Sequence, residues 1–148
     1  MIRKATLEDV SELVQCVKQY HASSPLFKGL TFCPEATARL AVQCIMQENS
    51  SVLIYKSEGI IKGYVSTTFT NWFSKELIAI EDMFYICDVE GRGRIALRLA
   101  RYWLQYCLDN DAKKVYTSST AGFGSNGYNK LMQKIGFNKF EGDFLIYE

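Results

Sequence analysis

The stretch that decides the fold runs from Glu81 to Trp103, EDMFYICDVEGRGRIALRLARYW. An apolar run rich in aromatics breaks at Cys87-Asp88, passes through Glu90-Gly91-Arg92-Gly93-Arg94, and enters a helical pattern. This reads as a strand, a glycine loop and a helix start. A helix start carries backbone N–H groups without intrahelical acceptors and the positive end of the macrodipole. Two glycines let a ligand approach that backbone closely. The arrangement suits a pyrophosphate, so the chain is expected to handle a phosphorylated cofactor.

Outward from this stretch, the pattern predicts an α/β domain. Downstream, Ile95, Leu99, Trp103 and Cys107 recur at four-residue steps, a helix that ends at Asp109-Asn110-Asp111. Lys114–Thr117 reads as a strand, 120–127 (TAGFGSNG) as a small-residue loop, and Tyr128–Ile135 as a short helix stopped by Gly136. Phe144–Tyr147 reads as the last strand. Upstream, Met1–Ala5 is a short strand. Thr6 with Asp9 makes a capping box, and Leu7, Val10, Leu13, Val14 and Val17 carry a helical stripe. His21–Cys33 reads as a loop. Pro34 opens a second helix reaching about Gln47, with Leu40, Cys44 and Ile45 as its apolar stripe. Ser51–Lys56 and Ile60–Thr68 form a hairpin about Ser57-Glu58-Gly59. Glu76–Ile86 is a strand apolar enough to be covered on both faces. The predicted order is β-α-α-β-β-β-α-β-α-β, with a mixed sheet.

At 148 residues the chain is expected to form one domain over 1–148. A net charge of +1 gives no reason to expect nucleic acid as a partner. Five cysteines without CxxC spacing and a single His argue against a disulfide framework and a zinc site, and no metal is expected. The thiols are expected to be reduced, in a cytoplasmic core. No apolar run approaches the roughly 20 residues of a membrane span, and the first residues, MIRKAT, lack a signal-peptide segment.

The element order, with the glycine loop after the fourth strand, resembles the GNAT superfamily of N-acetyltransferases along essentially the whole chain. The family's loop pattern of Gln or Arg, two residues, Gly, one residue, Gly or Ala falls on Glu90, Gly93 and Ile95, with Gly93 the strict match. Near the C-terminus the family pattern falls on Asn126, Asn129, Leu131, Met132, Lys134, Gly136 and Phe137. Asn129 stands where the family has Ala. Met132 stands where it has the Tyr that often protonates the leaving thiolate. The run from Gly91 to Leu99 is similar to that of small phage-encoded members.

The resemblance implies a mixed sheet of about six to seven strands with about four helices. It implies acetyl-CoA as cosubstrate, and direct attack by a primary amine on the thioester. It assigns the pantetheine arm to backbone groups of Tyr85, Ile86 and Cys87 and the pyrophosphate to amides from Gly91 through Arg92, Gly93, Arg94 and Ile95 to Ala96. Asn126 contacts the cofactor arm. Glu81 is the expected proton acceptor, because period two puts it on the face of Tyr85; Asp82 points to the other face. Tyr128, one helical turn before Met132, is the candidate proton donor. His21 is read as a surface residue, Cys87 as a bystander thiol. Trp72 and Phe73 serve equally as packing or as an apolar acceptor wall. Arg92, Arg94, Arg98 and Arg101 form a basic face, of which one or two meet phosphates.

The acceptor stays open: a small-molecule or protein amine, bound among residues 20–33, residues 68–77 and the last strand pair. Family members often dimerise, so a homodimer is compatible. Glu90, Ile95 and Met132 motivate a second reading, a non-catalytic member that binds coenzyme A or a protein partner without turnover. A nucleotide or RNA site at Gly-Arg-Gly-Arg is disfavoured by the missing P-loop lysine pattern.

Overall fold

Seven strands and four helices build the chain in a computed structural model that describes residues 1–88, 90–118 and 125–148, the side chains of 125 and 126 excepted. The strands are β1 (Ile2–Lys4), β2 (Ser50–Ser57), β3 (Ile60–Thr70), β4 (Leu77–Ile86), β5 (Ala112–Ser118), β6 (Lys139–Glu141) and β7 (Phe144–Tyr147). The helices are α1 (Val10–Ser23), α2 (Pro34–Met46), α3 (Arg92–Asp109) and α4 (Ser125–Lys134). They form one mixed sheet in the order β1-β2-β3-β4-β5-β7-β6, in which β4 and β5 run parallel and the other neighbours antiparallel.

Local chemistry sets the connections. Glu58 and Gly59 both take positive φ, 54° and 75°, which matches the twist of a two-residue hairpin between β2 and β3. Asp9 Oδ2 accepts from the Thr6 N–H at 2.8 Å, and Arg3 clamps the same carboxylate at 2.8 and 3.0 Å. The guanidinium and these N–H donors hold the Asp9 carboxyl well below the usual carboxylate range. Gly136 sits at φ 117°, where a Cβ would lie 2.8 Å from the Tyr147 ring.

The two faces of the sheet are covered differently. On one, α3 buries Ile95, Leu99, Trp103 and Cys107 against Leu53, Val65, Phe84 and Val115, with Met132 and Phe137 completing the core. The expected stripe on α3 is the one observed. On the other face, α1 buries Leu13, Cys16 and Tyr20 against Val52, Ile54, Tyr64 and Tyr85. α2 buries no residue fully: of its expected stripe, Cys44 and Ile45 are partly buried and pack against this second core, whereas Leu40 is 55% exposed.

Several expectations are corrected. α1 runs on to Ser23, taking in His21, and a short 3-10 turn at Pro25–Phe27 follows it. Leu7 is exposed. β6, not expected, is a three-residue edge strand whose residues are all exposed, so no apolar alternation marks it. Of the five thiols only Cys16 and Cys107 are buried, while Cys33 is exposed. No described helix is long and apolar enough to cross a membrane.

Candidate functional site

The sheet forks at its centre. β4 and β5 pair only from Leu77↔Ala112 to Ile80↔Tyr116, after which β5 continues against β7 alone. Among the described residues, Glu81–Ile86 of β4 therefore has no strand partner on the side of β5. Cys87 N–H donates to Lys62 O at 2.8 Å across to β3. Alternation along the strand then turns the peptide groups of Phe84 and Ile86 toward the fork and those of Tyr85 toward β3. The Cys87 carbonyl accepts from Gln19 Nε2 at 2.9 Å. Of the three residues expected to meet the cofactor arm, only Ile86 has its backbone aimed there.

The helix start beside the fork is also narrower than expected. Asp88 Oδ1 accepts from the N–H of Glu90 at 3.0 Å and of Gly91 at 3.3 Å, and its other oxygen meets Lys62 Nζ at 3.3 Å. Ile95 N–H donates to Gly91 O at 2.9 Å. Helix geometry thus leaves the amides of Gly93 and Arg94 in the first turn without an intrahelical acceptor. The expected amides of Gly91, Ile95 and Ala96 are engaged, because α3 begins at Arg92 and Ala96 already lies in its second turn. Ile95 and Ala96 are buried instead. A cavity of about 340 Å³ opens at this end, walled by Phe84, Arg92, Gly93, Ala96, Tyr128 and Leu131, among others. A Cβ added at Gly93 would meet no atom within 4 Å. Of the basic face, Arg94, Arg98 and Arg101 are exposed. Arg98 turns to β2, donating to Tyr55 OH at 3.2 Å with its guanidinium 5.6 Å from that ring's centre.

At the root of the fork lies a buried carboxyl. Glu81 is 5% exposed. Its Oε1 accepts from Thr117 Oγ1 at 3.0 Å and from Tyr128 OH at 2.8 Å, and the two hydroxyl oxygens lie close enough to each other that either could donate to the other instead. β4, β5 and α4 each supply one member. Phe84 closes the group, edge-on to the Tyr128 ring at 5.7 Å. Burial pushes the Glu81 carboxyl up to about 7, against the lowering effect of the two hydroxyl donors. Burial and the Glu81 charge push the Tyr128 phenol well above its ordinary value. The arrangement can hold and release a proton near neutral pH. Tyr128→Phe removes a donor that favours the ionised carboxylate. The Glu81 titration is therefore expected to move upward by about one unit, read as the acid limb of a pH–rate profile or by carboxyl-labelled NMR.

Glu81 and Tyr85 do not share a face. Thr67 pairs with Glu81 but Ser66 pairs with Met83, so Asp82 is an extra residue and the alternation flips across it. Glu81 faces α3 and α4, whereas Tyr85 packs with Tyr20 and Tyr64 under α1. Asp82 accepts from Thr68 Oγ1 at 2.7 Å. Thr117, which no motif marked, is a member of the buried group. It lies 36 residues from Glu81, and nothing local signals it.

The remaining candidates separate. His21 stacks on Phe27 with ring centres 5.0 Å apart. The Cys87 thiol meets the Cys16 thiol, which pushes it up, and so it turns toward α1 and away from the fork. Phe73 is fully exposed and Trp72 is 53% exposed, edge-on to Tyr116, so neither packs in the core. Met132 is fully buried in the main core. Asn126 lies in the first turn of α4, its side chain outside the described residues.

No protein-family model and no curated protein matches the chain by sequence. Solved structures do match its shape. One, described as a probable acetyltransferase, superposes with a TM-score of 0.80 at 18% identity, covering 95% of this chain and 91% of its own. A transcriptional regulator from Bacillus halodurans C-125 gives 0.76 at 17% identity, covering 96% and 95%. An aminoglycoside acetyltransferase from an uncultured soil metagenomic sample, in complex with sisomicin, gives 0.74 at 15% identity, covering 95% and 90%. The fold is that of the GNAT acetyltransferases.

Proposed function

We propose that this chain is an N-acetyltransferase that moves an acetyl group from acetyl-CoA to a primary amine within one ternary complex. The observation that carries the reading is the buried Glu81 carboxyl at the root of the β4/β5 fork, next to the cavity at the start of α3. The amides of Gly93 and Arg94 at the start of α3 suit the cofactor's pyrophosphate. The Ile86 peptide group suits its amide-bearing arm, as an added strand would. Glu81 takes a proton from the incoming ammonium, and the free amine attacks the thioester carbonyl. As the C–S bond breaks, Tyr128 donates to the departing sulfur and regains a proton from Glu81 through their shared hydrogen bond, and the second proton lost by the nitrogen as the amide forms passes to solvent. The Glu81 carboxyl, held near pH 7, serves both directions.

A second reading, a binder of coenzyme A or a protein partner without turnover, is favoured by Met132. It is fully buried where the family's acid stands, so its side chain reaches no thiolate. One experiment separates the two. Acetyl-CoA binding is measured by calorimetry, and free thiol release is followed with a broad amine panel. Micromolar binding with amine-dependent thiol release is expected. Binding without release by any amine would install the second reading as a binder of coenzyme A, and no binding would leave only its protein-partner form.

A further inference from the structure

Where α1 meets the end of β4, Cys16 and Cys87 line one cavity of about 390 Å³. We propose that these two thiols are a redox-modification site: a hydroperoxide joins them in a reversible disulfide that ties α1 to the loop before α3 and weakens that loop's hold on its ligand. The bond itself is independent of the transferase reading above, whereas its effect on acetyl-CoA rests on that reading.

Three observations carry it. Cys16, in the middle of α1, and Cys87, directly after β4, are both free thiols and hydrogen-bond to each other. The Cys87 S–H is the donor. That bond lowers the Cys16 thiol below its ordinary value, against burial and the Glu12 charge, and holds the Cys87 thiol above its own. One sulfur of the pair therefore ionises first while the other keeps its proton. Second, the backbone of Cys87 is held on both sides. Its N–H donates to Lys62 O at 2.8 Å, and its carbonyl accepts from Gln19 Nε2 at 2.9 Å. Gln19 stands one helical turn beyond Cys16 on the same face of α1, so helix and strand end are already tied beside the two sulfurs. Third, the pair is within reach of solvent. Cys16 is buried, but Cys87 is only partly so, and polar side chains, Gln15, Lys62 and Asp88 among them, line the same cavity. A peroxide is little larger than a water molecule, which takes about 30 Å³. Cys107, by contrast, is sealed in the core on the other face of the sheet.

One peroxide balances the reaction. The Cys16 thiolate attacks an oxygen of hydrogen peroxide and the O–O bond breaks. The released hydroxide takes up the proton that the thiol gave up, leaving water and a sulfenic acid. The Cys87 sulfur then attacks the Cys16 sulfur, the S–O bond breaks, and the Cys87 proton leaves with the hydroxyl as a second water. Two thiols are oxidised and one peroxide is reduced. Dithiothreitol reverses the change by thiol–disulfide exchange. Bonded sulfurs lie about 2.05 Å apart, closer than a hydrogen-bonded pair, so closure draws Cys87 toward α1. Asp88 follows it in the chain and holds the N–H groups of Glu90 and Gly91 as well as Lys62 Nζ. Its displacement carries the loop, and with it the Gly93 and Arg94 amides that open α3.

The test uses the full chain, wild type and Cys16→Ser, each treated with hydrogen peroxide. Wild type is expected to lose the mass of two hydrogen atoms and to yield one peptide pair joined through Cys16 and Cys87. Its thermal midpoint should rise, because the bond closes a loop of roughly 70 residues in the unfolded chain. Its acetyl-CoA affinity, read by calorimetry, should fall about tenfold and return with dithiothreitol. Cys16→Ser should give no joined peptides and an affinity that peroxide leaves unchanged. Cys16→Ala, which buries no hydroxyl, repeats the reading if the serine variant fails to fold. Cys16 and Cys87 peptides that stay unjoined, with sulfinic acid on either sulfur or oxidation confined to Cys33, would overturn the proposal. Joined peptides with unchanged acetyl-CoA affinity would overturn the link to the loop. A reduced protein that binds no acetyl-CoA would remove the transferase reading, while the joined peptides would still decide the disulfide.

Discussion

Replacing Gly93 with Trp is expected to abolish acetyl-CoA binding while the protein stays folded. The two halves of this expectation come from one place. Gly93 is exposed in the first turn of α3, at negative φ, and a Cβ there meets no atom within 4 Å. An indole can therefore be added without displacing core atoms. The room it enters is the cavity of about 340 Å³ whose other walls are Phe84, Tyr128 and Leu131, together with the space over the Gly93 and Arg94 amides. A ligand whose phosphates lie at the helix start and whose arm runs into the fork must use both. The affinity should fall by at least about 100-fold, or roughly 2.7 kcal/mol. Calorimetry of variant and wild type, beside their thermal midpoints, checks it. Gly91→Trp is a poor substitute test, because a Cβ at Gly91 lies 2.9 Å from Ile95 Cδ1 and disturbs the loop itself. Unchanged acetyl-CoA affinity in a folded Gly93→Trp protein would move the cofactor site away from this loop.

How far the sequence reveals this arrangement depends on how local each feature is. The α3 stripe of Ile95, Leu99, Trp103 and Cys107 is legible because one apolar face of a long helix repeats every turn. The Glu58-Gly59 hairpin and the Gly136 stop are legible because their backbone angles select residue types. The bulge at Asp82 is not. Nothing in Glu81-Asp82-Met83 marks an extra residue, yet it reverses every side chain after it and separates Glu81 from Tyr85. β6 escapes because an exposed edge strand of three residues needs no apolar pattern. The expected extent of the phosphate site was too long for a related reason. Which amides remain depends on where the helix actually begins, and Asp88, from outside it, takes two of the loop's N–H groups. The Glu81–Tyr128 contact joins residues 47 apart and exists only once α4 is laid across the fork.

The buried carboxyl makes the other large prediction, and it can be read in two independent ways. Glu81→Gln keeps the volume and an oxygen that accepts from Tyr128 and Thr117, but it takes no proton. Turnover is expected to fall by about 10²–10⁴-fold, the usual contribution of a general base, with acetyl-CoA affinity unchanged. The rate of wild type should rise with pH through about 7 as the carboxyl ionises. Stability should move the other way. Below the ordinary value of 4.5 the carboxyl is protonated both folded and unfolded. Between 4.5 and about 7 the unfolded chain releases a proton that the folded chain keeps, so stability falls as pH rises. Above about 7 both forms are ionised and the loss is complete. A difference of this size corresponds to roughly 3 kcal/mol. Each kcal/mol moves the thermal midpoint by about 2–4 °C in a chain of this length. The amide introduced by Glu81→Gln does not titrate, so in that variant the slope of midpoint against pH should flatten between about pH 5 and 8. Other groups contribute to the absolute curve, but they are common to both proteins and cancel in the difference. Equal slopes would mean that Glu81 ionises at its ordinary value despite its burial. Unchanged turnover would assign the proton to another group, and parallel slopes together with unchanged turnover would reduce the Glu81–Thr117–Tyr128 group to a structural tie between β4, β5 and α4.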